Sequence, residues 1–375
     1  MKFVHTADWQ IGMKAAHVGG AGARVREQRV MTIEKLIDVA KENAAEFILV
    51  GGDTFEDNAV ERILVQKVAD ILASSKLLVF MIPGNHDPFM PGSVWEHPAW
   101  KSSDNVQVLT EERPIEVLGG ILYPCPIREK HSGKDPTSWI QSSREGAIQI
   151  GMAHGTVEGI HQDEPDYPIP RDAATRTGLD YLALGHWHSV ATYEGPDGAV
   201  CMAYSGTHET TKFGERDSGN VLVVEITSVG TAPTVTPVRT GSLDWEVMEA
   251  DLRQSGDLSQ LLGIIEGIEN PERKLLNLRI AGLLAAEERG EMTRIDEILS
   301  SRFLYANVDA SGVKPSPEDE SWLVNLPAGV IRETGARLRE LGDPYFTGDR
   351  PGWASPEVAS RALMELYAMI TQGSR

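Results

Sequence analysis

Over roughly the first 90 residues, short apolar runs alternate with helical periodicity. Lys2 to Thr6, Phe47 to Val50 and Leu77 to Ile82 read as buried strands. Between them, Ile33, Leu36, Ile37, Ala40 and Ala44 fall on one helical face, as do Val60, Leu64, Val68, Ile71 and Leu72. Strand, helix, strand in this order implies parallel pairing through right-handed crossovers. In such sheets the polar residues just after the strands line the binding crevice. Here those positions hold Asp8, then Gly51-Gly52-Asp53, then Gly84-Asn85-His86-Asp87.

From about residue 106 to 240 the pattern is richer in strands, with apolar runs at Gly120 to Tyr123, Ile148 to Ala153, Tyr181 to Leu184 and Val221 to Ile226. The acids and prolines between Val157 and Thr177 predict a surface loop or an irregular excursion. Thr240-Gly241-Ser242 reads as a boundary, which sets a first domain at 1–240. Beyond it, Trp245 to Leu252, Lys274 to Leu284 and Phe303 to Val308 read as strands. Leu258 to Ile268 and Arg294 to Leu299 read as the helices between them, a βαβαβ unit that sets a second domain at 241–312. Ser311 to Ser321 reads as a linker. Helical patterns at Ala328 to Leu341 and Pro356 to Ile370 make a C-terminal segment, 313–375.

The 375 residues carry 35 Lys and Arg against 55 Asp and Glu, a formal net charge of −20, which argues against a free-standing basic DNA clamp. The longest purely apolar run, Leu77 to Ile82, is far too short to span a membrane. The N-terminus turns polar by Asp8, leaving no room for a secretory apolar segment. Cys125 and Cys201 cannot build a disulfide framework, although counting alone does not exclude one bridge, so a soluble cytoplasmic protein is the expectation.

The remaining candidates follow later strands: His154 after Ile148 to Ala153, and His186 and His188 after Tyr181 to Leu184. A two-metal centre needs several N and O ligands converging from separate segments, with one carboxylate able to bridge ions ~3.5–4 Å apart. Alone, Gly-Asn-His-Asp would read as a turn and His-x-His as two surface histidines. Together, Asp8-Trp9-Gln10, Gly51-Gly52-Asp53, Gly84-Asn85-His86-Asp87, His154-Gly155-Thr156 and Gly185-His186-Trp187-His188 resemble the five-block signature of the calcineurin-like metallophosphoesterases. His5-Thr6-Ala7-Asp8, Gly52-Asp53-Thr54-Phe55, Tyr204-Ser205-Gly206 and Phe213-Gly214-Glu215 are similar to the SbcD-type DNA repair exonuclease branch.

That resemblance implies an α/β fold: a β-sandwich flanked by helices in four αββα layers, with a smaller C-terminal α+β capping domain. It implies a two-metal DNA phosphodiester hydrolase, an exonuclease or endonuclease subunit acting on DNA with an SbcC-like coiled-coil ATPase, and a homodimer. Residue by residue, Asp53 would bridge the ions. Asp8, Gln10 and His188 would hold one, and Asn85, His154 and His186 the other. The ions would be manganese, with zinc or iron as alternatives. His86 would stabilise the transition state or protonate the leaving oxygen, with Asp87 as its orienting partner.

Gln10 departs from the family pattern, which has histidine there. An amide oxygen is a weaker ligand than imidazole for such ions, so one metal site is expected to be weakened. Two other readings remain: a metallophosphodiesterase acting on nucleotides or other small diesters, and a weakly active structural subunit. Among the remaining residues, His5 is expected to pack at its strand end, while His17, His97, His131 and His161 lie in loops without ligand spacing. His208 is closer to the site and a candidate substrate contact, with a plain structural role as the leading reading. Trp9 and Trp187 flank candidate ligands and could either stack on a base or wall off the metal pocket, and Lys14, Arg24, Arg26 and Arg29 are solvated charges that could form a basic strip.

Overall fold

The structure is a computed structural model describing residues 1–142, 146–159, 166–254, 256–285, 288–316 and 321–372. It divides into two compact units, Met1–Asp244 and Trp245–Arg375.

In the first unit the chain runs β1 (Lys2–Thr6), α1 (Gly22–Glu42), β2 (Phe47–Val50), α2 (Arg62–Ser74), β3 (Leu78–Met81) and β4 (Val106–Val108). It continues through β5 (Ile115–Val117), β6 (Gly120–Pro124), β7 (Ile148–His154), α3 (Ala173–Thr177) and β8 (Tyr181–Gly185). It closes with β9 (Ala191–Glu194), β10 (Val200–Tyr204), β11 (Asn220–Glu225) and β12 (Thr234–Arg239). One six-stranded sheet has the order β12-β11-β1-β2-β3-β4, the other β5-β6-β7-β8-β10-β9. Strands β1 to β4 are parallel neighbours, as are β6, β7, β8 and β10.

The apolar runs are continuous because both faces of each central strand are covered. Phe3, Phe47, Leu49 and Phe80 point into a core shared with Leu122, Ile150, Met152 and Tyr181 of the second sheet. The alternate residues Val4, Ile48, Val50, Val79 and Met81 pack under α1 and α2, against Ile33, Leu36, Val65 and Leu72. This is the period of two expected of a strand, and it produces sheet on sheet with helices outside. The outer face of the second sheet has a thinner cover: α3 and irregular segments around Ile140, Val157 and Ile169, packed on Tyr123, Leu182 and Leu184.

That cover corrects one expectation. Val157, Ile169, Ala173 and Ala174 are fully buried, and Val157 bridges Ile169, so the ends of the predicted surface loop belong to the core. Its acidic middle at 163–165, and His161, lie outside the described residues.

In the second unit, β13 (Asp244–Leu252), β14 (Lys274–Leu284) and β15 (Tyr305–Pro315) form a three-stranded sheet, with α4 (Asp257–Glu266) and α5 (Arg289–Arg302) between them in sequence. Leu258, Leu262, Ile265, Ile295 and Leu299 bury their side chains against Leu276, Leu278 and Ile280. Then follow α6 (Ser321–Val324), α7 (Val330–Gly342) and α8 (Pro356–Gln372). Here the predicted linker is overturned at its start, because β15 continues through Ser311 to Pro315. A register shift opposite Arg279 and Ala281 lets pairing resume at Gly312, while Asp309 caps the kink by accepting from Ser311 N at 3.0 Å. Residues 317–320 of that linker are outside the described residues. Among the described residues, no helix is long and apolar enough to cross a membrane.

Candidate metal centre

Parallel strands deliver their carboxyl ends to one edge of a sheet, and here both sheets do so at the same place. Thr6 pairs with Val50 and Val50 with Met81, so the loops carrying Asp8, Asp53 and Asn85-His86 leave side by side. In the second sheet His154 pairs with Gly185, which sets His154 beside His186. The two rings meet edge to face with centroids 5.3 Å apart.

The loops are tight. Asp8, Gln10 and Asp53 have φ of 55°, 43° and 50°, in the left-handed region. Backbone bonds lock them together: Asp8 N donates to Gly52 O at 3.1 Å and Gln10 N to Asp53 O at 2.9 Å. Gly84 must be glycine, because a Cβ there would lie 2.1 Å from Asp53 Oδ1.

Donor atoms of Asp53, His154 and His186 lie within 4.8 Å of one another. Asn85 Oδ1 joins them, 2.8 Å from His154 Nε2 and 3.1 Å from His186 Nδ1. Both carboxylate oxygens of Asp8 accept from His186 N at 3.0 Å, which brings Asp8 to the same cluster. His188 is held from behind, its Nδ1 donating to Glu215 Oε1 at 2.8 Å.

The donor chemistry fits a cation. His154 donates Nδ1–H to Gly51 O at 2.9 Å, so in the neutral ring the lone pair is on Nε2. That nitrogen faces two oxygens, Asn85 Oδ1 and, at 3.4 Å, Asp53 Oδ2. Three acceptors cannot face one another without a positive centre between them, either a proton or a metal ion. The titration behaviour agrees. Burial pushes Asp53 up, but the charge and hydrogen bond of His154 outweigh it and hold the carboxyl down at about 2. Burial disfavours the His154 imidazolium, yet Asp53 outweighs that and raises it to about 9. Asp8 is raised to about 6, chiefly by burial, and His186 is lowered to about 4 by burial and by His154.

His86 stands differently from the other histidines. Its backbone N donates to Asp53 Oδ1 at 2.9 Å, while Nδ1 donates to Glu56 O at 2.9 Å, and Nε2 makes no hydrogen bond among the described residues. The expectation that Asp87 orients this ring is corrected by the geometry. Asp87 is fully buried, accepting from Gly84 N at 2.7 Å through Oδ1 and from Phe55 N at 2.9 Å through Oδ2. It staples two metal-site loops together, and a backbone carbonyl orients His86 instead. Burial, followed by the charge of Asp53, raises Asp87 to about 7.

Other expectations also change. His208 is fully buried, with Nε2 donating to Arg29 O at 2.8 Å, out of reach of a substrate. Trp9 is buried too, its Nε1 donating to Thr6 Oγ1 at 2.8 Å, which suits a wall and not a base-stacking platform. Arg29 is no member of a basic strip, being 1% exposed and donating to the carbonyl oxygens of Trp9 and Glu209. Cys125 and Cys201 are both free. Sequence reasoning missed the structural roles of Arg29, Glu209 and Glu215. The proximity of Glu215 to a ligand-bearing loop could have been suspected only from its place in the Phe213-Gly214-Glu215 stretch.

The calcineurin-like phosphoesterase family model matches residues 1–190, a span that holds every predicted site residue from Asp8 to His188. The chain belongs to this family. It is therefore a metal-dependent phosphoesterase, and membership in the calcineurin-like phosphoesterases implies divalent cations at the cluster. An uncharacterized metallophosphoesterase of Bacillus subtilis (strain 168), YhaO, is 23% identical over 286 residues, covering 73% of this chain and 69% of the relative. The crystal structure of TT1561 of Thermus thermophilus aligns with a TM-score of 0.41 and 10% identity, covering 64% of this chain and 98% of that one.

Proposed function

We propose that this phosphoesterase hydrolyses DNA phosphodiesters as the nuclease subunit of a complex with a coiled-coil ATPase. The observation that supports this most is the position of Glu215. The stretch Phe213-Gly214-Glu215, one of several that carry the SbcD-type resemblance, closes directly on the loop of His188. A branch-specific segment that reaches the metal site bears on what the site does.

On this reading Asp53 would be shared by two cations. Asp8, Gln10 and His188 would hold one and Asn85, His154 and His186 the other, with manganese the proposed metal and zinc or iron the alternatives. Bound divalent cations supply water activation and neutralise charge on the non-bridging phosphate oxygens. His86 presents Nε2 to the leaving oxygen, with its Nδ1–H fixed on the Glu56 carbonyl. With a net charge of −20, the chain gains from a partner that brings the cationic surface DNA requires. The corresponding domain assignment is nuclease over 1–240, cap over 241–312 and partner-docking segment over 313–375, within a cytoplasmic homodimer.

The same acidic charge favours a second reading, in which the substrate is a nucleotide or another small phosphodiester and no partner is required. Manganese-dependent cleavage of end-labelled duplex DNA, measured beside bis(p-nitrophenyl) phosphate and an Asp53→Asn control, separates the two. DNA cleavage that vanishes in the control supports the nuclease. Diester cleavage with intact DNA, even after addition of a coiled-coil ATPase, supports the small-substrate enzyme. Neither activity, with about one ion bound per chain, would leave a structural subunit.

A further inference from the structure

The histidines of the centre differ in what stands behind their rings. His154 donates its outer nitrogen to a neutral carbonyl, Gly51 O, and His86 does the same to Glu56 O. His188 donates Nδ1–H to a carboxylate, Glu215 Oε1, at 2.8 Å. That carboxylate is built in: its side chain is 5% exposed, Oε2 accepts from Thr211 N at 2.8 Å, and Thr211 Oγ1 donates to Oε1. Held at both oxygens, Glu215 cannot swing away.

A carboxylate behind an imidazole fixes the tautomer with the free lone pair on Nε2, fixes the ring plane and makes Nε2 a stronger donor. His188 is also the imidazole assigned to the cation for which Gln10 replaces a histidine. The weak ligand and the reinforced ligand therefore serve one ion.

We propose that Glu215 is a positioning residue that presents His188 Nε2 to the cation shared with Asp8 and Gln10, and so offsets the weak amide ligand at Gln10. The proposal rests on the assignment of His188 as a metal ligand, and its test reads metal binding and not DNA cleavage. Failure of the nuclease reading would therefore leave it standing.

The test is manganese titration calorimetry with elemental analysis of the full chain, comparing wild type, Glu215→Gln, Glu215→Ala, Glu215→Ala/Gln10→His and His188→Ala. Two classes of site are expected in the wild type. Glu215→Ala should weaken one class by about 10–100-fold and leave the other unchanged. Glu215→Gln keeps an acceptor for Nδ1–H, so it should lose less than the alanine variant. Adding Gln10→His should recover most of the loss, which repair of a merely structural defect would not do. Unchanged affinity in Glu215→Ala, equal weakening of both classes in Glu215→Gln, or no recovery with Gln10→His would each overturn the proposal. Retention of both ions by His188→Ala would overturn it at its premise.

Discussion

Arg29 Nε donates to the carbonyl oxygen of Trp9 at 2.9 Å, so a residue in the middle of α1 holds the loop that carries Asp8 and Gln10. The same guanidinium reaches Glu209 O at 2.6 Å, Thr207 Oγ1 at 3.0 Å and Asp8 O at 3.3 Å. A buried cation bonded mainly to carbonyl oxygens stabilises backbone, and its removal leaves those acceptors without donors.

Arg29→Met should therefore destabilise the metal-free protein by roughly 3 kcal/mol, from at least two orphaned buried carbonyls. Arg29→Lys should recover little, because one ammonium cannot replace a planar fork that serves several acceptors. Urea unfolding of the three proteins checks this, and a variant within about 0.5 kcal/mol of wild type would contradict it.

Gln10→His places an imidazole where an amide now stands. On the proposed ligand assignment, manganese affinity at the site that includes Gln10, or turnover of a chromogenic diester at limiting manganese, should rise by about tenfold. Equal activity of both proteins across a metal titration would show that Gln10 does not limit the centre.

His86→Ala removes the ring but keeps the backbone N–H that holds Asp53, so metal content should stay unchanged. On the nuclease reading, turnover on DNA should fall by about 10²–10⁴. If the ring protonates the leaving oxygen, bis(p-nitrophenyl) phosphate should lose much less, since p-nitrophenolate leaves without a proton. Equal losses on both substrates would assign His86 to transition-state charge stabilisation alone.

His5 gives a pH dependence independent of metal. Burial lowers it from 6.5 to about 3, with Nε2 donating to Leu184 O and Nδ1 accepting from Tyr181 OH. Between those two values the unfolded chain binds a proton that the folded chain refuses. The contribution to stability is thus complete above pH 6.5 and is lost as the pH falls toward 3. The slope is up to about 1.4 kcal/mol per pH unit. His5→Gln, whose amide can serve both partners without titrating, should flatten the wild-type decline in unfolding free energy between about pH 6.5 and 5. Parallel declines would exclude His5 as the source.

The strands and ligand loops were legible because their information is local. An apolar run followed by Gly-Gly-Asp or Gly-Asn-His-Asp states both the strand and the polar turn at its end. Which of those polar residues would be metal ligands came from the resemblance to the calcineurin-like family, and the register of β7 on β8 sets His154 beside His186. What stayed hidden depends on distant partners. Arg29 looks like a solvated helix charge until Glu209, 180 residues away, supplies its acceptor. Asp87 beside His86 looks like an orienting carboxylate, and only the position of Phe55 N shows that it staples loops. Ser311 to Pro315 reads as a linker because a bulge, which local composition does not announce, lets pairing restart.

The left-handed backbones of Asp8, Gln10 and Asp53 have a consequence for how this centre is dissected by mutation. Aspartate and asparagine tolerate that conformation, whereas alanine there carries a steric cost of roughly 1–2 kcal/mol. An alanine scan would thus mix two injuries, a missing ligand and a loop pressed into an unsuitable shape, and misattribute the second to chemistry. Asparagine in place of either aspartate changes charge while keeping the turn, so amide-for-acid exchange is the cleaner grammar for reading this site.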